Sequence, residues 1–289
     1  MGRWLATLRL SLFPTVFWDV IAGAWLAGSA VTGKTWLAAS AVTLAWAGGM
    51  ALNDFADKEI DQMAKRNRPL AKGQLTRSAV FFMGASLLLL SFCLTFAWLP
   101  ILKSPITLLI GLVVFYDLGG PLIRRSIGPL LLALCRALAL AIGGLLHQSP
   151  SQLLQSPGPW PYFAYAMYVL FLARLAQREE NGGRGMQCIP YLIGASIAPL
   201  LLLQGTQSTG GVFAAWAVLA WFLLRRPIQL RHDFWSPKEV QAQVRRALFL
   251  LPALPGMALL SYGFGVFKSC TFVPVMLVVF ISLKKFPPE

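Results

Sequence analysis

Charged residues are scarce in this 289-residue sequence, and acidic residues are scarcer than basic ones. Charged residues make up 12% of the chain, against about 25% in a typical soluble domain. Hydrophobic residues make up 57%, and the mean hydropathy is +0.64. Several apolar runs approach or exceed the roughly 20 residues that cross a bilayer as a helix. The ten-residue alternation of an outer-membrane barrel is missing, so the composition predicts a multi-pass helical membrane protein.

Cysteine and histidine are too few and too scattered to indicate a metal or redox centre. The four cysteines are far apart in apolar surroundings, and none has the spacing of a zinc or redox motif. His147 and His232 stand alone in loops. We interpret the cysteines as small buried side chains and the histidines as surface residues.

Ten apolar segments predict an all-α bundle of nine or ten transmembrane helices, with residues 1–289 forming a single domain. Glycine and proline recur inside these segments, which membrane helices tolerate. The segments lie near residues 10–30, 36–53, 78–98, 104–118, 127–146, 160–176, 187–204, 210–224, 247–266 and 270–283.

The basic residues fall mainly on one side of this topology. With the N-terminus inside, the outer loops hold only Lys34, Lys103 and Lys268, Arg136 lies within a helix, and the other basic residues fall in inner regions. The positive-inside rule then predicts a cell inner membrane protein with its polar loops in the cytoplasm. The net charge of +14 is a topology signal, and nucleic acid is not an expected partner because no soluble basic domain is present.

The scarce acidic residues cluster in the stretch "LNDFADKEIDQMAKRNRPLAKGQLT", residues 52–76. On a helix, Asp54, Asp57 and Asp61 stand at i, i+3 and i+7 and share one face, with Asn53 beside it. Mg²⁺ prefers oxygen ligands and usually completes its shell with phosphate. The basic residues that follow can bind phosphate oxygens directly. The stretch therefore predicts a Mg²⁺–diphosphate site; the alternative is a solvated loop of mixed charge.

The same stretch resembles a known family. "NDFADKEID" matches the N-D-x-x-D-x-x-x-D signature of the UbiA superfamily of intramembrane prenyltransferases, and "KRNRPLAKGQLT" resembles its R-x-x-R-P-x-x-x-G segment, with the first arginine displaced to Arg66. The opening "WLATLRLSLFPTVFWDVIAGAWLAG" resembles the first helix of the family.

The resemblance implies a helical bundle around a central cavity that holds Mg²⁺ and a polyprenyl diphosphate. Diphosphate would leave, and a lipophilic acceptor would attack the allylic carbocation; no obligate protein partner is evident. The implied catalytic residues are Asn53, Asp54, Asp57 and Asp61, of which the three aspartates are metal ligands. The implied substrate contacts are Arg66, Arg68 and Lys72. The candidates for stabilising the cation, with packing as the alternative, are Trp18, Trp25, Trp46, Phe115 and Tyr116.

The second acidic motif of the family is altered in this sequence. In "ARLAQREENGGRG", Glu179 and Glu180 are adjacent and cannot share a helical face. Either one of them binds a second Mg²⁺, or that metal is bound weakly or not at all, or both glutamates pair with nearby arginines. This departure resembles the EboC-like branch of the superfamily.

Polar residues near the fourth and fifth segments complete the predicted site. Tyr116, Asp117, Arg124 and Arg125 stand where family members carry a tyrosine and a basic pair, and they are expected to contact the substrate. Asp117 is predicted to orient an acceptor hydroxyl or an arginine, or else to cap the loop.

Two ionisable residues are predicted within the helices. Such residues are costly in a membrane and usually face a polar interior. We therefore expect Arg136 to point at the diphosphate and Asp19 to pair with it or with another arginine.

Three functions are compatible with these residues. The first is a Mg²⁺-dependent transferase that moves a polyprenyl group to an aromatic or other lipophilic acceptor. The second is a terpene cyclase of the same superfamily, which would need no acceptor. The third is a non-catalytic isoprenoid carrier.

Overall fold

The computed structural model describes residues 2–63, 68–205 and 209–285, and these residues are almost entirely helical. Short 3₁₀ turns at Leu10–Leu12, Pro100–Leu102 and Ala198–Gly205 join or extend helices. The helices are α1 Gly2–Thr7, α2 Phe13–Leu26, α3 Gly33–Met63, α4 Arg77–Trp98, α5 Lys103–Leu118, α6 Gly120–Ser126, α7 Gly128–Leu145, α8 Pro150–Gln155, α9 Trp160–Ala176, α10 Gly185–Ile197, α11 Thr209–Gln229, α12 Pro237–Leu250, α13 Ala253–Ser261, α14 Gly265–Cys270 and α15 Phe272–Lys285.

The lengths and apolar composition of the helices confirm the all-α membrane fold but do not confirm the predicted count of nine or ten transmembrane helices. Across the described ranges, seven helical segments are long and apolar enough to cross a bilayer, and two shorter apolar helices accompany them at Leu10–Leu26 and Lys268–Ile281. The seven are Gly33–Met63, Arg77–Trp98, Pro100–Leu118, Gly128–Leu145, Gly185–Gln204, Thr209–Gln229 and Pro237–Ser261. The protein is an integral membrane protein.

Helix α3 carries the acidic stretch beyond the predicted end of its apolar segment. The helix has 31 residues, which at 1.5 Å per residue spans roughly 46 Å. A hydrocarbon core is only about 30 Å thick. The final turns of α3, with Asp54 to Asp61, therefore project toward the membrane surface while remaining helical.

Glycines allow α2 and α7 to touch along their backbones. A Cβ atom on Gly143 would lie 2.0 Å from the Val20 carbonyl oxygen, and one on Gly23 would lie 1.8 Å from that of Leu140. Small residues at helix contacts let membrane helices approach closely and gain van der Waals contact. This contact fixes α2 against α7 in the centre of the bundle, beside the polar residues described below.

Replacing Gly143 with alanine is expected to destabilise the fold by about 1–3 kcal/mol, because the added methyl group overpacks a backbone contact. Thermal unfolding in detergent micelles, followed by circular dichroism, measures this as a lower Tm. Gly111→Ala is the matched control, since a Cβ on Gly111 in α5 meets no atom within 4 Å. Equal Tm values for the two variants would contradict the close contact.

A small antiparallel sheet joins two connections at one end of the bundle. Strand β1, Gly183–Arg184, follows α9, and strand β2, Phe234–Trp235, follows α11; Gly183 pairs with Trp235 and Arg184 with Phe234. The Trp235 side chain is fully buried, and its Nε1 donates to the Leu230 carbonyl oxygen at 3.0 Å. The sheet therefore ties the segment after α9, where Glu179 and Glu180 lie, to the α11–α12 connection.

Candidate active site

The carboxylates of Asp54, Asp57 and Asp61, here called the aspartate cluster, face a single guanidinium. Nη1 of Arg68 lies 3.2 Å from Asp54 Oδ1, 3.9 Å from Asp57 Oδ2 and 2.7 Å from Asp61 Oδ2. Asp61 is 1% exposed and Asp54 is 3% exposed. The helical spacing thus places three carboxylates around one cationic position, with Asp54 and Asp61 buried and Asp57 partly exposed.

Two further arginines border the aspartate cluster. Arg124, at the end of α6, donates to Asp57 Oδ1 through Nη1. Arg9, between α1 and the first 3₁₀ turn, donates to Asn53 Oδ1 at 3.5 Å and lies 4.0 Å from Asp54 Oδ1. Burial and the positive charge of Arg68 lower the pKa of Arg9, while Asp54 opposes that shift. Three separate parts of the chain therefore deliver positive charge to one helical face.

Sequence reasoning missed Arg9 as a site residue. Its only sequence signal is its place just before the first apolar segment, at the same membrane face as the acidic stretch. The backbone at Arg9 has a φ of +49°, a left-handed conformation that is uncommon for a residue other than glycine. That turn breaks the helix between α1 and α2 and directs the Arg9 side chain toward α3.

Asp117 lies beside the site. It is near the end of α5, is 2% exposed, and its carboxylate is close enough to Asn53, Arg124 and Arg9 to interact with them electrostatically. The neighbouring Tyr116 is half-buried. The predicted group formed by Asn53, Asp54, Asp57, Asp61, Arg68, Asp117 and Arg124 is thus gathered at one end of the bundle.

The remaining predicted substrate contacts lie outside this group or outside the described residues. Arg66 is outside the described residues. Lys72 is exposed in the turn after Arg68, and Arg125 is exposed although its neighbour Arg124 turns inward. Gln177 Nε2 donates to the backbone carbonyl of Arg125 at 2.9 Å, which holds this loop against the end of α9.

Arg136 binds Asp19 and Tyr165 instead of the aspartate cluster. Its Nη2 lies 2.9 Å from Asp19 Oδ2 and donates to the Tyr165 hydroxyl at 2.6 Å. That hydroxyl donates to Asp19 Oδ1 at 2.7 Å. The Arg136 guanidinium also lies 5.3 Å from the centre of the Trp46 ring, a cation–π contact. The expected pairing of Asp19 with Arg136 is present. It is an ion pair between α2 and α7 inside the bundle, and Tyr165 on α9 hydrogen-bonds with both partners.

The two glutamates of the altered second motif lie in a turn and not on a helical face. Glu179 is half-buried and Glu180 is exposed, in the turn that precedes β1. The end of α9 is held by Arg174, whose Nη2 donates to the Ser126 carbonyl at 3.1 Å. This contact and that of Gln177 bring the end of α9 against the α6–α7 connection, next to Arg124.

The aspartate cluster fits a hard divalent cation by its donor chemistry. Three carboxylates offer oxygen ligands of the kind that Mg²⁺ prefers, and they already surround a cationic nitrogen. In the part of the chain that the structure describes, no group of three or more His, Cys, Asp or Glu side chains is arranged as a metal site. The Arg68 guanidinium lies between the three carboxylates, so a metal ion bound by all three would have to displace it.

The model of the UbiA prenyltransferase family matches residues 16–232. The chain belongs to this family. The match includes the aspartate cluster, Arg68, Asp117 and Arg124. It ends before α12, and it begins after Arg9.

Known proteins add a relative and two structural neighbours for this UbiA-family chain. Over 176 residues the chain is 32% identical to the digeranylgeranylglyceryl phosphate synthase of Sulfurisphaera tokodaii. The aligned part covers 61% of this chain and 62% of that relative, so it spans less than two thirds of the relative's length.

The structural matches extend over almost the whole chain. A UbiA homologue from Aeropyrum pernix K1, solved in its apo form, matches with a TM-score of 0.65 at 18% identity, covering 88% of this chain and 98% of that one. A structure of digeranylgeranylglyceryl phosphate synthase matches with a TM-score of 0.59 at 15% identity, covering 92% and 98%. At these identities the two neighbours show the UbiA fold alone, and the family match shows that the chain is a member of the UbiA prenyltransferase family.

Proposed function

We propose that this protein transfers a polyprenyl group from its diphosphate to a lipophilic acceptor and releases diphosphate in a Mg²⁺-dependent reaction. The observation that carries the proposal is the aspartate cluster, with three carboxylates converging on one cationic position at the end of the bundle. The relative named above as digeranylgeranylglyceryl phosphate synthase supports a prenyl donor. We propose that the polar end of the bundle faces the cytoplasm and that residues 1–289 act as one domain.

The charges of the site favour a metal–diphosphate pair over diphosphate alone. Four buried or half-buried carboxylates, including that of Asp117, stand against the guanidiniums of Arg9, Arg68 and Arg124. An anionic diphosphate placed here would meet a site with no excess of positive charge. Asp54, Asp57 and Asp61 would hold Mg²⁺, which when bound neutralises the charge that develops on a departing diphosphate.

The arginines supply the protein's own contacts to the donor. Arg68 binds the carboxylates through Nη1, and on metal binding its guanidinium is free to turn to phosphate oxygens, for which its planar donor set is suited. Arg124 and Arg9 hold Asp57 and Asp54 in place from either side. Arg66 remains a proposed contact, as do the more exposed Lys72 and Arg125.

The proposed reaction needs only the Mg²⁺ site at the aspartate cluster and does not depend on a second acidic motif. Glu179 and Glu180 remain proposed ligands of a second Mg²⁺, because the end of α9 packs against the connection that carries Arg124. Their adjacency in a turn, in place of a shared helical face, leads us to expect weaker metal binding there than at the aspartate cluster.

Product formation by the purified protein in lipid vesicles tests the proposal. Radiolabelled geranyl, farnesyl and geranylgeranyl diphosphates would be supplied with and without hydroxylated lipophilic acceptors, in Mg²⁺ or in excess EDTA. The expected result is a labelled adduct that requires both Mg²⁺ and an acceptor, with release of diphosphate. A labelled hydrocarbon formed without acceptor would replace the transferase with a cyclase, and donor binding without any turnover would replace it with a carrier.

A further inference from the structure

An open groove runs along the exposed face of α5 and starts at the end of the bundle opposite the aspartate cluster. Its volume is about 650 Å³, which lies in the range of roughly 300–1,000 Å³ for sites that bind small molecules. Most of its lining comes from α5, and Phe96 of α4 forms one wall. Lys103 begins α5 and Asp117 lies near its other end, so roughly 21 Å of helix separates these two residues.

The groove is polar at its rim and mainly apolar below it. Lys103, Ser104 and Thr107 form the rim, and the floor continues from Leu108 to Phe115. The eleven positions from Ser104 to Phe115 correspond to roughly 17 Å along the helix axis. One leaflet fills half of a hydrocarbon core that is roughly 30 Å thick. The groove therefore has the polarity and the length of one phospholipid chain with its headgroup.

Lys103 brings a positive charge to the rim without a neighbouring carboxylate. Its Nζ lies 5.0 Å from the centre of the Phe96 ring, and among the described residues it forms no salt bridge. The acidic residue nearest to it in the sequence is Asp117, at the other end of α5. Basic side chains near a membrane surface attract anionic lipids, so the rim is complementary to a negatively charged headgroup.

Two hydroxyl groups at the rim are available as hydrogen-bond donors. Hydroxyls on helices often donate to a backbone carbonyl of the preceding turn, as Thr95 does to Ser91 at 2.8 Å. Ser104 and Thr107 are exposed, and in the part of the chain that the structure describes neither hydroxyl forms a hydrogen bond. Hydrogen bonds to a charged phosphate are stronger than those between neutral groups.

The wall and the floor of the groove are set by one aromatic pair and one glycine. Phe96 stacks on Phe92, with ring centroids 4.0 Å apart and an interplanar angle of 25°. A Cβ atom on Gly111 would meet no atom within 4 Å. A larger side chain at Gly111 would therefore occupy the groove without displacing other residues.

We propose that this groove binds an anionic phospholipid from the leaflet opposite the aspartate cluster. The phosphate accepts hydrogen bonds from Lys103 Nζ and from the hydroxyls of Ser104 and Thr107. One acyl chain follows the apolar floor past Gly111 to Phe115. Binding is non-covalent and remote from the aspartate cluster, so the inference is independent of the proposed function.

Native mass spectrometry of the purified protein tests recognition of the headgroup. Dissociation constants are measured for phosphatidylglycerol and phosphatidylcholine with identical acyl chains. We expect the parent protein to bind phosphatidylglycerol about fivefold more tightly, the effect of one lysine near a membrane surface. Lys103→Gln is expected to abolish this preference. Lys34→Gln is the matched control, since Lys34 is an exposed lysine at the same end of the bundle, and it is expected to keep the preference.

Filling the groove tests its location. Gly111→Phe is expected to remove one bound lipid of either headgroup and to keep the parental Tm in lipid-free detergent. Val218→Phe adds the same ring at an exposed position of α11 and is expected to keep that lipid. Phosphatidylglycerol with a photoreactive acyl chain is expected to label the tryptic peptide of residues 104–124 in the parent protein and in Val218→Phe, but not in Gly111→Phe.

Four results would overturn the inference. Equal dissociation constants for the two lipids, or a Lys103→Gln variant that keeps the preference, would show that the rim does not recognise the headgroup. A Lys34→Gln variant that loses the preference as fully as Lys103→Gln would assign it to overall surface charge. A dimer that Gly111→Phe dissociates would assign the groove to a second copy of this chain.

Discussion

Replacing Asp61 with asparagine is expected to lower prenyl transfer by roughly 10³-fold, the upper end of what loss of one pre-organised charged group costs a reaction. Asp61 is the most buried member of the aspartate cluster and makes its shortest contact with Arg68, at 2.7 Å. The asparagine has nearly the same volume, so the loss is one of charge and of metal affinity. Initial rates of labelled product formation across a Mg²⁺ titration measure both.

Comparing Asp61→Asn with Arg68→Gln tests whether Arg68 competes with the metal. Asp61→Asn removes the shortest contact that Arg68 makes with the aspartates. Arg68→Gln removes the guanidinium and leaves all three carboxylates available to Mg²⁺. We therefore expect Arg68→Gln to bind Mg²⁺ more tightly in the absence of donor while losing affinity for the diphosphate. If Arg68→Gln needed more Mg²⁺ than the parent protein for half-maximal activity, Arg68 would hold the aspartates in position for the metal and would not compete with it.

Glu59→Gln is the matched control for these variants. It makes the same carboxylate-to-amide change on the same helix, but its side chain is 74% exposed and pairs with Arg77 at the surface. Exposed ion pairs contribute about 0–1 kcal/mol, so this variant is expected to retain activity and stability. A loss comparable to that of Asp61→Asn would mean that the whole acidic turn, rather than the buried face, carries the function.

The shared face of the aspartate cluster was predictable because a helix has a fixed period. Once Asp54, Asp57 and Asp61 are placed on a helix, their convergence follows from 3.6 residues per turn. The apolar segment alone ended near residue 53, whereas α3 continues to Met63. Hydropathy reports where lipid ends and not where the helix ends, so the extent of α3 had to come from the structure.

The partners of the aspartates were less predictable because they depend on packing between distant elements. Arg9 and Arg124 reach α3 from residues 44 and 67 positions away along the chain, and nothing local fixes which of two adjacent arginines turns inward. The sequence placed Arg124 and Arg125 together, but only Arg124 contacts an aspartate in the described contacts. Arg136 was expected at the diphosphate because charged residues within a membrane usually face a polar group. In the structure that group is the Asp19 carboxylate.

The number of spans was the least predictable feature of the fold. Hydropathy counts apolar residues, whereas the structure divides some apolar segments with 3₁₀ turns and short helices. The segment near residues 10–30 begins with the 3₁₀ turn Leu10–Leu12 and its helix ends at Leu26, so it is one of the two apolar helices that are shorter than a span. Such breaks leave the overall hydropathy unchanged, so a hydropathy profile cannot locate them.

Replacing Arg136 with methionine is expected to destabilise the folded protein by about 3–5 kcal/mol, the usual cost of removing one partner of a buried ion pair. The Arg136 and Asp19 side chains are 3% and 0% exposed. The variant therefore leaves the Asp19 carboxylate inside the bundle without its counter-ion. Thermal unfolding in micelles is expected to show a much lower Tm than for Arg77→Met, which removes one partner of the exposed pair with Glu59.

Replacing Asp19, Arg136 and Tyr165 together separates the effect of the unpaired charge on stability from the effect of lost packing. The triple variant Asp19→Leu, Arg136→Met and Tyr165→Phe leaves no buried charge and no unpaired hydroxyl, and replacing a whole buried ionic group with apolar residues is often neutral or stabilising by 1–4 kcal/mol. We therefore expect the triple variant to recover most of the stability that Arg136→Met loses. A triple variant as unstable as Arg136→Met would show that these side chains stabilise the fold by filling space and that their charges contribute little.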